Sequence, residues 1–251
     1  MLAAGAGGLV LVPLAGLVQR APWSSLGTQV RGHEAVAALR LSMETSVGAL
    51  ALSAILGVPL AWVLARRRFP GRALLRALVT VPMVLPPVVG GIALLYAFGR
   101  QGLVGRALFD VTGWRFVFNT SGAIVAEAFV AMPFLVVTAE AAFGSLDRRA
   151  EEAAATLGAR PGYRFRRVTL PAVAPALAAG AALTWARALG EFGATITFAG
   201  NLPGRTQTTP LLVYLDIESG RDGTALALSI VLLAVSLAVL VGLRGRWLGR
   251  G

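Results

Sequence analysis

Cysteine is absent from the 251 residues, which excludes disulfides, thiolate metal sites and cysteine nucleophiles. Lysine is absent as well, so all 23 basic residues are arginine. Without lysine there is no Gly-x-x-x-x-Gly-Lys-Ser/Thr phosphate loop, and the chain cannot hydrolyse ATP by that mechanism. His33 is the single histidine. One imidazole removes most zinc sites, and it leaves His-based acid–base chemistry a poor prospect. Charge is scarce too: 14% of residues are charged and 56% are hydrophobic, whereas a soluble domain carries about 25% charged residues. Such a chain cannot cover a water-exposed surface, and a bilayer is the solvent that makes it stable.

The charge that is present leans one way, with 23 basic residues against 12 acidic for a net +11. In a soluble protein that balance points to nucleic acid. Here the arginines lie in the gaps between apolar runs, so a membrane surface explains them and no nucleic-acid partner is expected. A helix crosses the hydrocarbon core with about 20 mostly apolar residues. Six stretches qualify: 2–18, 41–65, 77–98, 122–142, 172–192 and 224–243. The first has neither a basic leader nor a cleavage site, so it reads as a span rather than a signal peptide.

Arginines sort the gaps into two sides. Arg66, Arg67, Arg68, Arg72 and Arg76 follow the second span; Arg148, Arg149, Arg160, Arg164, Arg166 and Arg167 follow the fourth; Arg244, Arg246 and Arg250 close the chain. The opposite side holds eight, with Arg187 left inside the membrane. This asymmetry puts both termini and the 143–171 loop in the cytoplasm, as an even number of spans requires. No gap is long enough for a soluble domain and no 20–50-residue repeat occurs. Residues 1–251 therefore read as one all-α, multi-pass domain of the cytoplasmic membrane.

The 143–171 gap has the most pronounced local pattern. Arg148–Leu157 is rich in helix formers with acids early, where the positive end of the helix dipole favours them. Gly158 ends that helix, Pro161 starts a second, and Pro171 falls in the first turn of the fifth span. Ala153, Ala154 and Ala155 leave a small-faced helix that another surface can approach closely. Glu152-Ala153-Ala154, three residues, Gly158, nine residues and Val168-Thr169-Leu170-Pro171 resemble the Glu-Ala-Ala loop of ABC-importer permeases. Every spacing of that loop matches, with Val168 in place of isoleucine. The resemblance implies the type I permease fold and a coupling helix that docks on an ATP-binding subunit. It assigns Glu151, Glu152, Ala153, Ala154, Gly158, Leu170 and Pro171 to that coupling.

Leu85-Pro86-Pro87-Val88-Val89-Gly90-Gly91-Ile92, Ala188–Thr195 and Phe198–Thr206 are similar to molybdate-importer permeases, with sulfate and tungstate permeases close to the same pattern. What this implies is an oxyanion permease built from two copies, served by two ATPase subunits and an extracytoplasmic binding protein. Sulfate systems tend to pair two different permeases. ATP and Mg would belong to the ATPase, and this chain would need no cofactor and perform no catalysis.

Charge inside a bilayer is costly and marks candidate sites. Arg187 and Glu191 are four residues apart, so a continuous helix puts them on one face, shared by Thr184. They either line the route of a divalent oxyanion or form a structural pair near the outer end of the span. Thr195 and Thr197 add hydroxyls that line the path or bond their own backbone. Pro86 and Pro87, with Pro82, Gly90 and Gly91, break the third span, which suits a helix lining a water-filled path or a packing kink. Glu127 and Glu140 are expected as interhelical or interfacial partners, Glu44 likewise, and His33 as a surface residue. Arg66–Arg72 anchors the membrane surface and is able to meet anionic lipid. An integral-membrane enzyme would need clustered acids, which are scattered here, and a gradient-driven transporter would leave the 143–171 loop unexplained.

Overall fold

The computed structural model describes residues 2–147 and 149–247; Met1, Arg148 and residues 248–251, including Arg250, lie outside the described residues, as do the side chains of Arg244 and Arg246. The described residues form thirteen α-helices and no strand: α1 Leu2–Arg20, α2 Leu26–Val30, α3 His33–Arg66, α4 Arg72–Val84, α5 Pro87–Phe98, α6 Gly105–Thr112, α7 Thr120–Ser145, α8 Arg149–Thr156, α9 Pro161–Arg164, α10 Leu170–Leu189, α11 Gly193–Phe198, α12 Thr209–Glu218 and α13 Asp222–Trp247. A π-helical turn, Phe165–Thr169, joins α9 to α10.

Four runs are long and apolar enough to cross a membrane alone: α3, α7, Pro161–Leu189 and Asp222–Gly242. The apolar stretch Gly5–Arg20 within α1 is shorter. The third expected crossing consists of two half-length helices, α4 and α5, separated by extended Leu85 and Pro86. Pro82 lies inside α4 without breaking it. The second span was expected from Leu41, but its helix begins at His33 and runs for 34 residues. That is about 51 Å, against a hydrocarbon core of about 30 Å. Arg40 and Glu44 pair at 2.7 Å one turn apart, which lets the helix continue into a polar zone. The fifth span was expected to reach Phe192, but α10 stops at Leu189 with Gly190 as its C-terminal cap.

The central helix is α7, which packs against α3, α10, α11 and α4. Small residues set those spacings, since apolar burial gives no drive between helices in lipid and close backbone approach must supply it. A Cβ on Gly48 would lie 2.9 Å from Ile124, and one on Gly180 would lie 3.0 Å from Thr138. At the end holding the α3 C-terminus, Ala61 and Leu64 pack with Val136, Ala139 and Phe143 of α7 and Val173 of α10. Nearer the other end, Ala126 and Val130 of α7 meet Leu94 of α5 and Ala194 and Phe198 of α11.

A close approach also joins α5 to α11. A Cβ on Gly91 would sit 2.7 Å from Thr197 Cβ and 2.9 Å from the Ala194 carbonyl oxygen, and one on Gly193 would sit 2.8 Å from Pro87 Cβ. The Gly91→Val variant is therefore expected to lose about 1–3 kcal/mol of stability, read as a lower thermal midpoint of the detergent-solubilised protein. Gly144, which has open space around it, should accept alanine with an unchanged or higher midpoint.

Candidate functional site

Two regions carry the polar chemistry: an intramembrane cluster around the helix breaks, and the α8–α9 projection. In the first, Glu191 does not share a helical face with Thr184 and Arg187, because the helix has already ended. Its carboxylate turns both ways across the break. Oε2 pairs with Arg187 Nη2 at 2.6 Å, and Oε1 accepts the Ala194 N–H at 2.8 Å, an amide of the first turn of α11. Glu191 is buried, whereas 29% of the Arg187 side-chain surface is exposed. Arg187 is therefore part-exposed while its counter-charge is held inside.

The hydroxyls behave differently from one another. Thr197 Oγ1 donates to its own helix at the Gly193 carbonyl, 2.7 Å away. Thr184 and Thr195 are fully buried, and neither Oγ1 has a partner among the described residues. Pro86 and Pro87, both exposed, form the other break. It abuts the first, since Pro87 and Val88 flank Gly193. The interrupted span thus meets the end of α10 at its interruption.

Glu127, expected as an interhelical partner, is one: Thr45 Oγ1 of α3 donates to its Oε1 at 2.7 Å, and both residues are buried. Its Oε2 has no partner among the described residues. Glu140 takes two hydrogen bonds from Arg76 Nε at 3.0 and 3.2 Å and a third, shorter one from Arg76 Nη2. Arg72 lies 3.8 Å away, so the α4–α7 contact closes at the arginine-rich end. His33 is exposed at the start of α3. Sequence reasoning missed a buried polar run, Thr206–Thr209, in which the Thr209 N–H donates to Ser42 Oγ of α3 at 2.7 Å. Its signal was four consecutive hydrogen-bonding residues beside an apolar helix.

In the second region the expected helix–bend–helix is present. The N–H of Arg149 donates to Asp147 Oδ1 at 3.0 Å at the start of α8. The chain reverses at Gly158, whose φ of +80° is the left-handed conformation that glycine adopts without strain. Pro161 then opens α9. Glu152 and Ala153 are exposed, and Glu151 and Ala154 half-buried. Two apolar side chains stand out beside them, Leu157 at 87% exposure and Tyr163 at 60%. Leu170 is half-buried and Pro171 exposed at the start of α10.

Glu191→Ala removes a partner from Arg187 and an acceptor from Ala194 at once. It is expected to cost about 2 kcal/mol or more, measured as the thermal midpoint in detergent. Glu191→Gln keeps an acceptor for Ala194 and should fall less.

Residues 57–250 match the family model described as binding-protein-dependent transport system inner membrane component. The molybdenum transport system permease protein ModB of Mycobacterium tuberculosis is 45% identical over 239 residues, covering 94% of this chain and 89% of that protein. ModB of Escherichia coli K12 is 40% identical over 215 residues, covering 85% and 93%. The sulfate transport system permease protein CysT of Salmonella typhimurium is 38% identical over 237 residues, covering 92% and 84%. Among solved structures, a chain of a bacterial alginate ABC transporter, in complex with a periplasmic protein bound to an alginate pentasaccharide, superposes with a TM-score of 0.75 at 18% identity. It covers 96% of this chain and 90% of that one. A chain of the inward-facing MetNI methionine ABC transporter gives 0.56 at 19% identity, covering 93% and 98%. These likenesses carry the fold, that of a type I ABC-importer permease. With its membrane-length helices, its α8–Gly158–α9 projection and its match over residues 57–250, the chain belongs to the family of binding-protein-dependent transport system inner membrane components, transport subunits rather than enzymes.

Proposed function

We propose that this chain is the membrane permease of an ATP-driven importer for molybdate, acting as a pair of identical copies. The observation that carries the reading is the α8–α9 projection. At the arginine-rich end it presents a small-faced helix with Leu157 and Tyr163 exposed beside it, a surface suited to a protein partner. That partner is the ATP-binding subunit, which holds ATP and Mg; this chain itself uses no cofactor. The arginine-rich end faces the cytoplasm with both termini, among anionic lipid headgroups. An extracytoplasmic binding protein delivers the oxyanion at the opposite end.

The intramembrane cluster supports an anion path. Arg187 offers a part-exposed positive group, and the buried Glu191 carboxylate beside it offsets its charge. A divalent oxyanion is then attracted without being trapped, which conduction requires. Thr184 and Thr195 hold uncommitted hydroxyls inside the protein, which a change of state would have to uncover, and the break at Pro86–Pro87 sets α5 apart from α4, free to change its angle relative to it. ATP-driven closure of the two ATPase subunits draws the α8 elements together and opens the path outward; hydrolysis lets it return. Molybdate is preferred because the molybdenum permeases named above are 40–45% identical to this chain. The 38% identity to a sulfate permease favours sulfate as the second reading.

Proteoliposomes containing this chain, its ATP-binding subunit and its binding protein test the proposal. Labelled molybdate should enter only with ATP and should resist excess sulfate. Gly158→Leu puts a side chain in a left-handed turn and should abolish the coupled uptake. Arg187→Ala should reduce it about tenfold while the subunits still assemble. Uptake blocked by sulfate would replace molybdate with sulfate, and ATP-independent uptake would remove the importer reading.

A further inference from the structure

Glu151 lies just before the Glu-Ala-Ala stretch and points the other way. While Glu152 is exposed, Glu151 Oε1 accepts hydrogen bonds from Arg66 Nη2 at 2.9 Å and from Thr169 Oγ1 at 2.6 Å. Arg66 is the last residue of α3, and Thr169 is the last residue of the π-helical turn before α10. A single carboxylate oxygen thereby joins α8, α3 and the turn that runs on into α10. The site is sheltered: the Arg66 and Glu151 side chains are 10% and 23% exposed and Thr169 is buried. An ion pair so placed is screened far less than one on the surface.

The covalent link out of α8 is poorly suited to carrying a push. The link from α8 to α9 runs through the left-handed turn at Gly158, whereas α9, the π-helical turn and α10 form one continuous helical run, Pro161–Leu189. Such a π-helical turn is rare and recurs at functional sites. Phe165 of that turn rests on Phe143 of α7, with ring centroids 6.4 Å apart, so the central helix provides a fixed post beside it. The two helices fastened by Glu151 carry the intramembrane polar groups: α3 bears Thr45, the partner of Glu127, and α10 bears Thr184 and Arg187.

We infer that Glu151 is the positioning residue that makes α8, α3 and α10 move as one body, so that displacement of α8 by the ATP-binding subunit reaches the intramembrane cluster. This rests on the proposed docking of α8. Without the clamp, the ATPase still grips and moves α8, but the movement dissipates in the turn at Gly158. Hydrolysis continues while transport falls.

The test is labelled-molybdate uptake per ATP hydrolysed in the reconstituted complex, with the amount of ATP-binding subunit that copurifies. Glu151→Ala should lower uptake per ATP about tenfold with the ATP-binding subunit still bound, and Thr169→Val should lower it less. The exchange Arg66→Glu with Glu151→Arg restores an ion pair and should recover most of the loss, which a simple folding defect would not allow. An unchanged ratio in Glu151→Ala overturns the inference. So does loss of the ATP-binding subunit from that variant, which would make Glu151 a docking contact, and so does a failed exchange. A wild-type complex that neither hydrolyses ATP nor takes up oxyanion overturns the permease reading itself, whereas an active wild type with an unchanged variant ratio overturns the clamp alone.

Discussion

Inside a bilayer there is no water to satisfy a backbone group that leaves its helix, yet one crossing of this chain is interrupted and another ends in a break packed against it. At Leu85–Pro87 the two prolines have no N–H to orphan, and the Leu85 N–H still reaches the Val81 carbonyl at 2.9 Å. At Gly190–Phe192 the Glu191 N–H donates to Ala188, and the Glu191 carboxylate takes up the Ala194 N–H. Gly193, which is buried, rests against Pro87 and Val88, so the second break is backed by the first. The carboxylate that satisfies one break is also the one that fixes Arg187, so the same constraint that permits the interruption creates the charged cluster.

The rest of the structure links that cluster to the arginine-rich end. The α3 helix runs the whole way, with Thr45 on Glu127 near one end and Arg66 on Glu151 at the other. Its partner α10 begins beside Glu151 through Thr169 and ends beside the cluster at Arg187. Both pack on α7, whose small-residue contacts leave little room for independent movement. A helical rod fastened at its foot is a stiff lever, and two of them rise from the place where α8 is held.

Much of this was legible in the sequence because it rests on local signals. Apolar length located α7 and α13, while Gly158 and Pro161 located the bend after α8 to within a residue. The break in the third span was legible from Pro86 and Pro87. Other features depend on partners distant in the chain. Thr45 and Glu127 are 82 residues apart and Arg66 and Glu151 are 85 apart, and nothing in either neighbourhood names the other. The end of α10 was misplaced because apolar composition continues past it; the glycines at 190 and 193, on either side of Glu191, were the available signal. The early start of α3 was missed because Arg40 read as a loop charge just outside the span, while paired with Glu44 one turn on it supports a helix.

The absence of cysteine makes the central claim, that α8 meets the ATP-binding subunit, directly measurable. One cysteine introduced at Ala154, carrying a short photo-crosslinker, reports what lies against α8 in the assembled complex. One at His33 reports on the opposite end of α3. The account predicts a crosslink to the ATP-binding subunit from position 154 and none to it from position 33. A crosslink to that subunit from position 33, with none from position 154, would contradict it.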